Sequence, residues 1–213
     1  SPEPVILIQA YLGKADSLYN LRLYKAAIAV YKEALANIPA AMPQDLVDKL
    51  HYGLSWAYLK EGDFKDAISE FQKIVRQTQD RIFKVAALCQ IGDAYQDSGD
   101  YEQAVSTYNS VLKDFPDSLY SDYVQYQLGL AQLKSAKYDE AITEYQKALV
   151  LNPRFEPSVI QLGDVYFQQG RYQEAVAQYG RHAEIVTSDL ERASSIGNIA
   201  HVYLAKGDLD LAE

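Results

Sequence analysis

One motif recurs six times along the 213-residue chain, and that recurrence constrains the fold more than any other feature. Its clearest copy runs from Val85 to Ser118. Leu88, Ile91, Gly92 and Tyr95 lie three or four residues apart, the spacing of one face of an α-helix. Ser98-Gly99-Asp100 interrupts the pattern: Gly99 suits the left-handed residue that ends a helix, and Asp100 suits the cap of the next. Tyr101, Ala104, Val105, Tyr108, Val111 and Leu112 form the apolar face of a second helix, which Phe115-Pro116 stops. An alanine marks the same point in each copy, at Ala27, Ala67, Ala104, Ala141, Ala175 and Ala212, with intervals of 40, 37, 37, 34 and 37 residues. A helix hairpin of this size cannot bury both apolar faces alone, so each copy must stack on the next.

The other copies vary this theme. Copy one has Tyr11, Ala15 and Leu18, a turn at Leu21-Arg22-Leu23 without glycine, then Tyr24, Ala27, Ile28, Tyr31 and Pro39. Copy two has Leu54, Ser55 and Tyr58, then Gly62-Asp63, Phe64, Ala67 and Phe71. Copies four and five carry Leu128-Gly129 and Leu162-Gly163, followed by Tyr138, Ala141 and Tyr145 and by Tyr172, Ala175 and Tyr179. This pattern resembles the tetratricopeptide repeat, whose signature is an aromatic or apolar anchor, L-G, Y, then A, an aromatic and P. The resemblance implies an all-α fold, a right-handed superhelical α-solenoid of about five and a half helix-turn-helix repeats. The repeats are expected near residues 8–41, 48–81, 85–118, 122–155, 156–189 and 193–213, in one array. Four of the five intervals exceed the family's 34 residues, which calls for lengthened helices or joints such as Ala40-Ala41-Met42-Pro43. Small residues at 15, 55, 92, 129, 163 and 200, and the marker alanines, are expected where helices cross closely.

Composition narrows the function. A net charge of −9 and a pI near 4.8 argue against binding nucleic acid or anionic lipid through a general positive field. The single cysteine, Cys89, excludes an internal disulfide framework and a cysteine-based zinc site. No apolar run reaches the roughly 20 residues of a membrane span, so no direct membrane insertion is expected.

Opposite the core stripe, each first helix has a second stripe, which in the tetratricopeptide family lines a concave groove. It reads Leu12, Asp16, Tyr19 in copy one and Lys49, Tyr52, Trp56, Leu59 in copy two. Copy three gives Ala86, Cys89, Asp93, Gln96; copy four Tyr123, Tyr126, Leu130, Leu133; copy five Pro157, Ile160, Asp164, Phe167. Aromatic and aliphatic residues at these positions suit a surface meant to be covered, by a ligand or by packing between adjacent helices. With Asp16, Asp93 and Asp164 at equivalent places, the resemblance implies a protein or peptide partner, amphipathic with basic residues. Members that grip C-terminal carboxylates use lysine, asparagine and arginine here, which these slots mostly lack. Cys89, between two aromatic copies, is expected to leave a notch with an accessible thiol.

Catalysis is not expected. His51, His182 and His201 are scattered without an i,i+4 pair, and read as groove or surface side chains. Gly53-Leu54-Ser55-Trp56-Ala57 lacks the final glycine and the strand-to-helix turn of a nucleophile elbow. Neither a metal nor a cofactor is implied. The chain therefore reads as a non-catalytic interaction scaffold, the alternative being a self-assembling array whose ends or groove bind other copies. The joint Asp114-Phe115-Pro116-Asp117-Ser118 resembles those of bacterial cell-envelope tetratricopeptide proteins, which leaves the periplasmic side and the cytoplasm both open. Ser1-Pro2-Glu3-Pro4 does not read as a signal peptide, and a processed or excised start is expected. The second helix of copy six would begin at Leu209 and stop at Glu213, so a parent chain that continues and association through this end are both expected.

Overall fold

A computed structural model describes residues 2–207. The described residues form eleven α-helices and no strand, in two compact units, Ser1–Ser118 and Leu119–Glu213. The first unit holds α1 (Pro2–Asn20), α2 (Tyr24–Ala36), α3 (Gln44–Glu61), α4 (Phe64–Gln77), α5 (Arg81–Asp97) and α6 (Tyr101–Asp114). The second holds α7 (Ser121–Lys134), α8 (Tyr138–Leu151), α9 (Glu156–Gln168), α10 (Tyr172–Ile185) and α11 (Asp189–Lys206). Within each unit, consecutive helices pack antiparallel as stacked hairpins, and α1 also touches α3. The second helix expected from Leu209 lies outside the described residues.

Local chemistry sets the ends. Gly62, Gly99, Gly170 and Gly207 take positive φ at the turns, and Asp100 Oδ1 accepts from the Gln103 amide at 3.2 Å, capping α6. The turns that lack glycine force a side-chain-bearing residue into the same conformation, at Arg22 (φ 61°) and Ala136 (φ 58°). The first helix starts well before the motif does, because the opening turn has no intrahelical N–H partners for Pro4 to disrupt. The residues beyond a 34-residue repeat are spread between helices and joints. α3 and α5 have 18 and 17 residues against 13 in α9, and the joints before α3 and α7 span 37–43 and 115–120.

The marker alanines Ala27, Ala67, Ala104, Ala141 and Ala175 are all fully buried. Four residues after each comes a buried aromatic: Tyr31, Phe71, Tyr108, Tyr145 and Tyr179. In hairpins three to five that ring lies directly on a glycine of the first helix. A Cβ built on Gly92 would meet the Tyr108 ring at 2.4 Å, on Gly129 the Tyr145 ring at 2.8 Å, and on Gly163 the Tyr179 ring at 2.6 Å. Ser55 fills the slot in hairpin two, fully buried, its hydroxyl donating to the His51 carbonyl at 2.7 Å.

This contact makes two glycine substitutions diverge. Gly92→Ala drives a methyl into the Tyr108 ring and is expected to cost about 1–3 kcal/mol. Gly180→Ala, in α10 with open space around its α-carbon, is expected to stabilise by about 0.5–1 kcal/mol. Urea midpoints of the two variants check this; a shift of the same sign in both would contradict it.

Candidate functional site

The stripe opposite the core is half-buried along most of its length in each unit. In the first unit, α1 and α3 bring Asp16, Tyr19 and Trp56 together with Tyr31 and Gly53 around an open pocket of about 340 Å³. Tyr52, one turn before Trp56, belongs to an aromatic cluster whose ring centroids lie 6.2 Å from Trp56, 5.8 Å from Phe71 and 5.3 Å from Phe83. In the second unit, Tyr126 packs against Tyr145 (5.7 Å) and Phe155 (5.6 Å), and Phe167 against Tyr172 (6.0 Å) and His201 (5.0 Å). Tyr123 accepts a hydrogen bond from Gln127, Leu130 is half-buried, and Ile160 packs on the core of this unit. These aromatics therefore support neighbouring helices with one side and leave the other partly open.

The three aspartates are not free carboxylates in a row. Each accepts from a tyrosine hydroxyl fifteen residues on, in the second helix of its own hairpin: Tyr31 to Asp16 (2.5 Å), Tyr108 to Asp93 (2.6 Å) and Tyr179 to Asp164 (2.8 Å). Asp93 Oδ2 also accepts from Gln90 at 3.2 Å, so both its oxygens are engaged. Burial pushes the Asp164 carboxyl above its ordinary pKa, against the opposing effects of the Tyr179 hydrogen bond and the His182 charge. Asp16 is exposed, and among the described residues its Oδ2 has no partner. Of the three, Asp93 has both oxygens engaged, whereas Asp16 and Asp164 each keep Oδ2 without a hydrogen-bond partner among the described residues, exposed at Asp16 and half-buried at Asp164.

Hairpin four breaks the series: Leu130 stands where an aspartate would, and the Tyr145 hydroxyl is buried without a hydrogen-bond partner. Burial, with the nearby Tyr126 and Asp164, pushes its pKa up. The expectation for Cys89 also fails. Its side chain is only 2% exposed, while Ala86, Asp93 and Gln96 of the same stripe are half-buried, and burial pushes the thiol up to about 12. The histidines divide as well. His51 and His182 are interior rather than groove or surface, the first 2.7 Å from Glu70 and the second 2.7 Å from Ser195; His201 is exposed. Ser195 Oγ lies 2.9 Å from the Glu191 carbonyl, to which it donates when His182 Nδ1 carries the proton of the His182–Ser195 pair. Among the described residues no three His, Cys, Asp or Glu side chains converge as metal ligands, and no helix is long and apolar enough to cross a membrane.

Tyr31 and Gly53 are the pocket residues that the stripe pattern misses. Tyr31 lies on a second helix, outside any first-helix stripe. Gly53 had a signal in the sequence, since the equivalent places in hairpins three to five hold Gln90, Gln127 and Gln161.

Stacked helix hairpins locked by a ring-on-glycine contact and carrying a half-open stripe define a helical-repeat protein. Three family models described as Tetratricopeptide repeat match residues 22–91, 83–151 and 126–189, and the chain belongs to the tetratricopeptide repeat family. Solved structures agree in fold. A tetratricopeptide repeat protein from Parabacteroides merdae is similar over 94% of this chain and 74% of its own, at 18% identity and a TM-score of 0.72. Pseudomonas aeruginosa pilF is similar over 99% and 89%, at 19% identity and 0.68, and MamA from Desulfovibrio magneticus over 78% and 88%, at 22% and 0.63. No curated protein matches the chain. The family fold is in general a non-catalytic, protein-binding scaffold.

Two outcomes test this geometry. Tyr108→Phe removes a hydrogen bond to a carboxylate and is expected to cost about 1–3 kcal/mol, whereas Tyr145→Phe removes an orphaned hydroxyl and is expected to be neutral or stabilising. Thermal unfolding decides it, an equal loss in both counting against the Asp–Tyr pairing. The Cys89 thiol is expected to react with a labelling reagent only as fast as the helices open; rapid labelling of the native state would contradict its burial.

Proposed function

We propose that this chain is a non-catalytic scaffold that binds a peptide or helical segment along its first-helix stripe. The observation that carries this reading is the pocket between α1 and α3, where Tyr19 and Trp56 remain partly open beside Asp16. Half-exposed aromatics around a pocket are the usual anchors of protein recognition. In the first unit the proposed stripe also includes Tyr52, Asp93 and Cys89; the second unit has a stripe of its own, of Tyr123, Tyr126, Leu130, Ile160, Asp164 and Phe167. Of these, Cys89 is buried and so does not itself touch a ligand. The net charge of −9 and Asp16 support a partner that carries basic as well as apolar side chains.

A second reading, association of copies, is favoured by one observation in the second unit. α11 exposes Leu190, Ile196 and Leu204, at 81%, 56% and 52%, and flanks a pocket of about 160 Å³ that includes Tyr172, Val176, Val202 and Tyr203. Sedimentation over a wide concentration range separates the two readings, since only the second requires the mass to rise.

Selection of a displayed random-peptide library on the full chain tests the first. The selected peptides are expected to combine apolar and basic residues, and Trp56→Ala to weaken them by about 1–3 kcal/mol at an unchanged unfolding midpoint. If Trp56→Ala leaves binding intact and instead destabilises by about 3–5 kcal/mol, as a core truncation does, Trp56 is packing and the reading fails.

A further inference from the structure

We infer that the pocket formed by Asp16, Tyr19, Tyr31, Gly53 and Trp56 is a subsite for one guanidinium group, the arginine side chain of a bound peptide. The inference rests on the groove reading above and makes it specific. At about 340 Å³ the pocket is at the small end of ligand clefts, the size for one long side chain and not for a helix. Its walls are aromatic: the Trp56 indole and the Tyr19 and Tyr31 phenols. Its polar group is a carboxylate. Tyr31 donates to Asp16 Oδ1, which fixes that side chain and leaves Oδ2 as the acceptor. A planar cation satisfies both features at once, since it stacks on an aromatic face and donates to a carboxylate from its edge. A neutral apolar side chain would leave Asp16 unanswered, and an acidic one would be repelled by it.

The pocket lies where the second repeat departs from hairpins three to five at two places. Gly53 replaces the glutamine found at 90, 127 and 161, and Trp56 replaces the Asp93, Leu130 and Asp164 of hairpins three to five. The bare α-carbon lets the Tyr31 phenol lie against α3, where a Cβ would meet its Cζ and Oη at 2.5 Å. The indole then supplies a face in a position that elsewhere carries a tyrosine-bound carboxylate or a leucine. Lys60 reaches the same indole, its Nζ 5.8 Å from the ring centroid, so the ring already holds one cation from its own helix. Lys60 does not line the pocket and competes with an incoming cation for the ring.

Trp56 is the only tryptophan, so the indole N–H resonance of the ¹⁵N-labelled full chain reports on this site alone. The probes are N-acetyl-arginine amide, its neutral isostere N-acetyl-citrulline amide, and N-acetyl-leucine amide. The arginine probe is expected to shift the resonance saturably, with the other two at least about threefold weaker. Asp16→Asn retains an acceptor for Tyr31 and is expected to weaken the arginine probe about three- to fivefold without changing the citrulline titration. Lys60→Met, on the exposed side of α3, is expected to tighten it. Citrulline matching arginine, an unchanged affinity in Asp16→Asn, or weaker binding in Lys60→Met would each overturn the cation subsite. A shift with the leucine probe alone would also overturn it, yet leave the apolar groove standing. If no probe shifts the resonance while selected peptides still bind, the subsite fails and the groove does not; if neither binds, both fail.

Discussion

The fold depends on one contact: the aromatic ring four residues after the marker alanine, which in hairpins three to five lies on a glycine of the preceding helix. A ring can lie this close to a helix backbone only where the facing residue has little or no side chain, which is why glycine, serine or alanine recurs at that slot. The ring in turn fixes the distance between the two helices of a hairpin, and thereby which side chains of the first helix stay half-open. In hairpin one the ring of Tyr31 goes further, against Gly53 of the next hairpin, and so joins the first two copies. The groove stripe is a consequence of this packing rather than an addition to it.

A second layer of polar contacts alternates along the chain. Hairpins one, three and five tie their helices together with an aspartate and a tyrosine. Hairpins two and four use a carboxylate on the second helix instead: Glu70, bonded by His51 and by Lys73 at 2.7 Å each, and Glu144, bonded by Gln125 and by Lys147 at 2.8 Å. Burial alone would push the Glu70 carboxyl up, but the hydrogen bonds from His51 and Lys73 outweigh it and hold its pKa low. The alternation releases the aspartate slot in the even hairpins, where it holds Trp56 and Leu130. Tyr145 keeps the tyrosine of the odd series without its partner, whereas Phe71 in hairpin two has lost the hydroxyl with the aspartate and leaves nothing unpaired.

The helices, turns and core slots were legible in the sequence because they depend on residues within one helical turn of each other. Ala104 and Tyr108, or Gly99 and Asp100, state their roles by local spacing. The polar pairing was not legible, because Asp93 and Tyr108 are fifteen residues apart across a turn, and no periodicity within one helix connects them. For the same reason the three aspartates read as open charges, and Cys89 read as a notch. A stripe tells which side of a helix a residue occupies, but its depth is set by neighbouring helices. Arg22 and Ala136 show the complementary case, where the turn forms without its usual glycine because the packed helices on either side fix the chain path.

Regular repeats make irregular positions informative. Where five hairpins must satisfy one packing rule, most positions are determined by their copies, and recognition is left to the places that break the pattern without breaking the stack. Gly53 and Trp56 are such a pair, three residues apart on one face of α3: the first lacks the glutamine side chain that hairpins three to five keep, and the second exchanges a carboxylate or leucine for an indole. Together, at the junction of the first two hairpins, they line a pocket with an aromatic wall and one open carboxylate oxygen, that of Asp16. Specificity in such an array is therefore written as a local departure from its own repeat, and it is read by comparing the chain with itself.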